Sequence, residues 1–474
     1  MGENGVVRRI ALLAASCLVL VAIPCSSQGN GPGQEPAPGQ IAENVTCGGD
    51  AGQRYAVFLP SGYSRDRAWP ILYAFDARAR GLLPVQRFQD AAERYGYIVV
   101  GSNNSRNGPM ALANDALRAM LADTTSRFAL DPNRVYLAGF SGGARVAVRA
   151  ALALGEHAAG VIGAAAGFPS GVEPASSMSF AYYGTTGTDD FNYPEMTALY
   201  ATLGKLGLPH RLEIFDGDHD WPPADVCVRA IEWMETEAMR SKRRLRDEAL
   251  VDRIAARAES DARAEEEAGR AYQAWSRYST LAATLAGFRD VAPYEQKARQ
   301  LAASGEVHRA LREQADSIRL QQAGHARLTR LAREVLADEN RAAATARFFQ
   351  AFDTLRLQSN RPGNDAERMA ARRVIVSSWG DLNEAATADT EAGRFARATA
   401  ILELMGRMRP ESAMVDYRLA RAFARAGNKN AAVQALRNAV RKGVSDAAAI
   451  EAEADFESLR GEEGFRELLR SLKK

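Results

Sequence analysis

Histidine is scarce in this sequence, with five copies in 474 residues, and cysteine is scarcer still, with four. No group of His, Cys, Asp and Glu shows metal-ligand spacing and no phosphate-cradling glycine loop is visible, so neither a metal nor a nucleotide cofactor is expected. Charge of one sign is also missing: a net +2 leaves no electrostatic reason for a nucleic-acid or acidic-membrane partner. The apolar run from Ile10 to Ile23 is too short to cross a bilayer comfortably, so no transmembrane span is expected.

What is present starts at the N-terminus. Arg8 and Arg9 precede that apolar run and small residues follow it, the three-part layout of a secretory signal over residues 1–27. Cys25 offers a second reading, a lipoprotein anchored through its thiol, against which the preceding Pro24 counts. Residues 28–40 are rich in Gly, Pro and Gln and read as a flexible tether. The expectation is therefore an exported protein, periplasmic or secreted. Export leaves Cys47 and Cys227 in the mature chain, either as a disulfide or as two unrelated thiols.

A chain of 474 residues exceeds what one core usually organises, and 46% apolar with 25% charged residues is ordinary for folded protein. Two textures divide it. Over residues 41–240, β-rich runs such as "WPILYAFD", "YGYIVVGS" and "RVYLAGFS" alternate with helical stretches such as "GGARVAVRAALAL". Several runs are apolar on both faces, which suits strands buried between helix layers. The expected fold class is α/β, a mostly parallel sheet preceded by an antiparallel strand or two. Residues 241–474 lose the strands and carry helical patterning, so an all-α half follows. Near its end Gly393 and Gly427 lie 34 residues apart, with Ala386 and Ala420 seven residues before each. Over about 379–445 this resembles the tetratricopeptide repeat, whose paired helices need small residues where they approach; the divergent helices from 245 to 375 are expected to stack with these units.

The first half carries the chemistry. Gly139-Phe140-Ser141-Gly142-Gly143 joins a buried strand to a helix, the context a nucleophile elbow requires: the serine sits on a strained turn with its hydroxyl exposed above the sheet edge. A serine nucleophile needs a base. Of the five histidines, His157 lies on or near the helix after the elbow, His210 opens a strand, and His308 and His325 fall in the all-α half. His219 stands in the loop after the last strand, at the sheet end where such sites gather. The orienting acid is expected in "AYYGTTGTDDFNYPEM", with Asp190 preferred over Asp189 because it stands three residues after Gly187. The order Ser141, Asp190, His219 is that of α/β-hydrolases. For the oxyanion hole, one N–H comes from Gly142 and the other from Ala77 or its rival Arg78, in Asp76-Ala77-Arg78, where many hydrolases carry His-Gly. "SNNSRNGP" (Ser102 to Pro109) forms either another wall of the cleft or an ordinary turn-rich loop.

"LPSGY", "GFSGGA" and "HDWPP" make residues 50–240 resemble the α/β-hydrolase fold, specifically exported enzymes similar to polyhydroxybutyrate depolymerases and feruloyl or acetylxylan esterases. The resemblance implies carboxylic ester hydrolysis through an acyl-enzyme. Only "FPSGVEPASSM" separates two strands where many hydrolases insert a cap, so no cap domain and an open cleft for bulky or polymer-attached esters are expected. The helical half is then a module for a protein partner or for positioning. Two other functions compete: a serine peptidase of the same fold, and a binding scaffold whose hydrolase half is inactive.

Overall fold

The computed structural model describes residues 36–337, 340–363 and 365–473. The signal over 1–27, the anchor at Cys25 and the first eight residues of the tether lie outside the described residues. Among the described residues no helix is long and apolar enough to cross a membrane.

A sheet of eight strands organises the first half: β1 (Ile41–Cys47), β2 (Asp50–Phe58), β3 (Trp69–Phe75), β4 (Ile98–Ser102), β5 (Leu130–Phe140), β6 (Ala158–Ala164), β7 (Ala181–Gly187) and β8 (His210–Phe215). Their spatial order is β1-β2-β4-β3-β5-β6-β7-β8. β2 runs antiparallel to both β1 and β4, and every later pairing is parallel. The expected mostly parallel sheet with antiparallel strands at its start is what forms. The helices between are α1 (Leu82–Tyr95), α2 (Met110–Arg127), α3 (Gly142–Leu154), α4 (Tyr193–Lys205) and α5 (Ala224–Arg240).

All seven residues of β3 are buried, because its side chains alternate into two separate cores. Ile71, Tyr73 and Phe75 join Leu117, Val148 and Met196 on the face covered by α2, α3 and α4. Leu72 and Ala74 join Phe88, Ile231 and Met234 on the face covered by α1 and α5. This two-sided burial is why the strand reads as a continuous apolar run. It also settles the cysteines: Cys47 lies in the first core and Cys227 in the second, both buried and unpaired, with the sheet between them. The disulfide alternative is therefore not realised.

Two elements escape the sequence reading. β1 is an edge strand whose exposed Glu43 and Asn44 break the apolar alternation. α1 contains Pro84, which is tolerated because first-turn N–H groups have no intrahelical acceptor.

Secondary structure changes character after residue 240, but the compact units divide elsewhere, into residues 1–312 and 313–474. Within the first unit, α6 (Glu248–Glu267), α7 (Ala271–Leu285) and α8 (Ala292–Ala302) build a core in which Val251, Ile254, Leu281 and Leu285 surround Met239 of α5. The Arg257 guanidinium on α6 pairs with the buried Glu232 of α5. α6 to α8 therefore belong to the unit of the α/β layer, whereas the sequence reading expects them among the repeat units.

The second unit is helical. After α9 (Gly305–Leu336) come α10 (Arg341–Ser359), α11 (Ala366–Glu391), α12 (Phe395–Met408), α13 (Ala413–Arg425), α14 (Lys429–Arg441), α15 (Ala447–Ala452) and α16 (Glu463–Leu472). Gly393 and Gly427 occupy equivalent turns, between α11 and α12 and between α13 and α14, at φ of 72° and 77°. Ala386, Ala398, Ala420 and Ala432 are all fully buried, as close helix pairing requires.

An added Cβ at Gly393 or Gly427 meets no atom within 4 Å, so replacement by Ala tests backbone strain alone. Each is expected to destabilise its unit by about 1–2 kcal/mol. Gly406→Ala, inside α12 with ordinary packing room, is expected to stabilise by about 0.5–1 kcal/mol. Urea denaturation of the three variants checks both signs.

Candidate active site

β5 ends at Phe140 and α3 begins at Gly142, leaving Ser141 at the turn with φ 55° and ψ −122°. A non-glycine residue at positive φ is held there only by its surroundings. Here the Ser141 N–H donates to Ala164 O on β6 at 2.8 Å. The flanking glycines answer to space: a Cβ on Gly139 would stand 2.0 Å from Gly143 O, and one on Gly143 would stand 2.0 Å from Phe75 O. Backbone from β3, β5 and α3 is thus drawn together beneath the hydroxyl.

His219 Nε2 lies 3.0 Å from Ser141 Oγ, and its Nδ1 lies 2.9 Å from Asp190 Oδ1. A carboxylate can only accept, so Nδ1 carries the proton and Nε2 is left to accept from the serine hydroxyl. Asp190 is fully buried and Oδ1 also accepts from the Asn192 N–H at 2.8 Å, which fixes the carboxylate plane. Asp189 is half-buried and its N–H donates to Gly217 O at 2.9 Å. Asn192 occupies the N-cap of α4. Gly187 permits the two loops to meet, since a Cβ there would stand 2.2 Å from Gly217 O. The imidazole lies between Phe140 and Phe191, with ring centroids 4.8 and 4.2 Å away. The other histidines lie elsewhere: His157 ends a short turn after α3, His210 opens β8, and His308 and His325 are on α9.

At the end of β3 the Arg78 N–H is taken by Asp76 Oδ1 at 2.8 Å. The Ala77 N–H makes no hydrogen bond among the described residues, and the same holds for the Gly142 N–H at the start of α3. Of the three expected donors, the Gly142 and Ala77 N–H groups are therefore the two left open. The "SNNSRNGP" loop is fastened beside the elbow. Asn104 ties it to β2 through Arg54 N–H and Gly52 O, and the Asn107 N–H donates to Ala77 O at 2.9 Å. The Asn107 carboxamide presses on the elbow, its Oδ1 only 1.9 Å from where a Cβ on Gly142 would stand.

Asp76 is the residue beside the candidate site whose part in holding it sequence reasoning passed over. It is fully buried, and its carboxylate accepts from Arg78 N–H, from Arg80 Nε and Nη2 at 2.9 Å each, and from Trp221 Nε1 at 2.8 Å. One group thereby joins the Ala77 loop to the segment after His219. Burial alone would raise its pKa, but the bonds from Arg80, Trp221 and the Arg78 N–H outweigh it and hold the carboxyl below the usual range. A signal was available: an acid closing an otherwise apolar buried strand needs a partner, and Arg80 stands four residues on. Between β6 and β7, residues 165–180 contain no helix, so no cap covers this edge.

No family model and no curated protein matches the chain. Among solved structures it is similar to an S-formylglutathione hydrolase from Staphylococcus aureus at 18% identity, covering 43% of this chain and 99% of that one with a TM-score of 0.33. A ferulic acid esterase matches at 15% identity over 42% of this chain and 98% of its own, TM-score 0.35. An esterase from the archaeon Pyrobaculum calidifontis matches at 13% identity over 50% and 92%, TM-score 0.34. Scores this low leave the chemistry of the chain to be judged on its own geometry.

Asp76→Asn is expected to cost about 1–3 kcal/mol at neutral pH, because buried donors lose a charged acceptor. Since the folded-state pKa is depressed, the stabilisation from Asp76 is complete above the unfolded carboxyl value of about 4 and is lost as pH falls through the folded value. Denaturation curves at neutral and acid pH should show a smaller acid-side loss in the variant than in the native protein.

Proposed function

We propose that this chain is a serine hydrolase that cleaves carboxylic esters through an acyl-enzyme. The single observation that carries the reading is the unbroken hydrogen-bonded chain from Ser141 Oγ through the His219 ring to Asp190, at 3.0 and 2.9 Å. In the first step Ser141 Oγ bonds to the ester carbonyl carbon while its proton passes to His219 Nε2. The carbonyl oxygen becomes an oxyanion facing the Gly142 and Ala77 N–H groups. Collapse breaks the bond to the alcohol oxygen, which leaves with the proton from His219. Water then repeats the sequence on the acyl-serine and releases the acid. Asp190 holds the Nδ1–H and stabilises the imidazolium.

The absence of a helix between β6 and β7 supports an open cleft and hence bulky or polymer-attached esters. Export, with or without an anchor at Cys25, belongs to the same proposal and rests on residues 1–27 of the sequence. So does a tetratricopeptide-like role for the second unit in docking a protein partner, which is supported by the equivalent turns at Gly393 and Gly427.

Ser141→Ala is expected to abolish labelling by a fluorophosphonate probe, and surviving label would mean that the nucleophile is another serine. Asp190→Asn should lower kcat on a short-chain aryl ester by about 10⁴-fold, whereas Asp189→Asn should change it only a few-fold. Assay of the purified protein on matched aryl ester and peptide anilide substrates should show the ester cleaved faster; the reverse ranking would make it a peptidase.

A further inference from the structure

Arg78 and Arg106 oppose one another as the two members of an isolated antiparallel bridge. The Asn107 N–H bond to Ala77 O flanks that bridge, so both side chains leave the same face, with Cβ atoms about 4.5–5.5 Å apart. Like charges placed directly opposite repel. Both arginines are exposed, and among the described residues neither guanidinium has a carboxylate partner or a hydrogen bond. The neighbouring arginines are different: Arg80 pairs with Asp76 at 2.9 Å and Arg87 with Asp220 at 3.7 Å.

The backbone gives this pair little freedom to separate. The Arg78 N–H is held by Asp76, the Ser105 N–H by Ser102 Oγ at 2.9 Å, and the Asn107 N–H by Ala77 O. Ala79, next to Arg78, sits at φ 59°, a further local cost that the loop sustains. Each arginine also adjoins, along the chain, a residue of the candidate site. Arg78 follows Ala77, whose N–H is an open donor, and Arg106 precedes Asn107, whose carboxamide lies against Gly142. Two guanidinium groups that leave directly opposed residues on one face can close on one anionic oxygen group, which relieves their repulsion and can accept from both.

We propose that Arg78 and Arg106 form an anion subsite beside Ser141, so that the ester hydrolysed carries a carboxylate or phosphate-like group near its reacting carbonyl. The substrate assignment rests on the esterase reading; the anion subsite itself does not require turnover.

Two matched pairs of esters test it on the full-length protein. Para-nitrophenyl hemisuccinate against para-nitrophenyl butyrate puts the charge on the acyl side, and para-acetoxybenzoate against its methyl ester puts it on the alcohol side. At least one charged ester should be favoured about tenfold in kcat/KM, an advantage that shrinks with added salt. In the Arg78→Gln/Arg106→Gln double variant, with its fold checked by circular dichroism, the ratio of charged to neutral ester should fall towards one. No preference in the native protein, or one that survives the double variant, overturns the subsite and leaves ester hydrolysis standing. Absence of all ester turnover and of fluorophosphonate labelling overturns the esterase reading instead. Calorimetry then decides the subsite alone: monomethyl succinate or methyl phosphate must bind the native protein at least about tenfold more tightly than the double variant, and equal binding or none overturns it.

Discussion

Ser141 sits at φ 55° because three stretches of backbone leave it no other place. Its N–H is bonded to the end of β6, while Gly139 and Gly143 let β5 and α3 close against each other and against the carbonyl of Phe75. A side chain at either glycine would push those stretches apart and let the turn relax. The strained serine and the parallel sheet are therefore one construction: the central strands supply the carbonyls that hold the turn, and the turn puts a hydroxyl at their C-terminal edge. The loops that bring His219 and Asp190 follow β8 and β7 to that same edge.

Asp76 extends the constraint sideways. A buried carboxylate that bonds the Arg78 N–H, the Arg80 guanidinium and the Trp221 indole couples the loop after β3 to the loop after β8. Trp221 is itself wedged against Phe88 and Phe140, with centroids 6.3 and 6.0 Å away, and Phe140 packs on the His219 ring. Ala77, His219 and Ser141 thus share one packed and hydrogen-bonded neighbourhood. On the other rim Arg145 on α3 reaches Glu195 at 2.9 Å and Phe168 O at 2.6 Å, Glu195 accepts from the Gly167 N–H, and Asn192 donates to Ala165 O, so the uncapped segment after β6 is fastened to α3 and α4.

Much of this is legible in the sequence because it rests on local rules. Buried parallel strands show as apolar runs, the elbow as a serine among glycines between strand and helix, and His219 and Asp190 as residues in the loops after the last two strands. What is not legible depends on partners far along the chain. Asp76 gives no sign that its acceptors will be filled by Trp221, 145 residues away. Asn107 looks like any turn asparagine until the loop is folded against Gly142. β1 hides because an edge strand has one side in water and need not alternate cleanly. The grouping of α6 to α8 with the sheet is hidden for the same reason: patterning shows a helix face to be apolar, not which surface will cover it.

The positions of the two thiols bear on how the protein meets its surroundings. Cys47 and Cys227 are walled off on opposite sides of the sheet, and burial drives both away from ionisation, Cys47 up to about 12 and Cys227 higher. A thiol that does not ionise neither exchanges with disulfides nor reacts readily with electrophiles. The α/β layer consequently needs no oxidant to mature and loses nothing to a reductant, so its integrity is the same whichever redox environment it occupies.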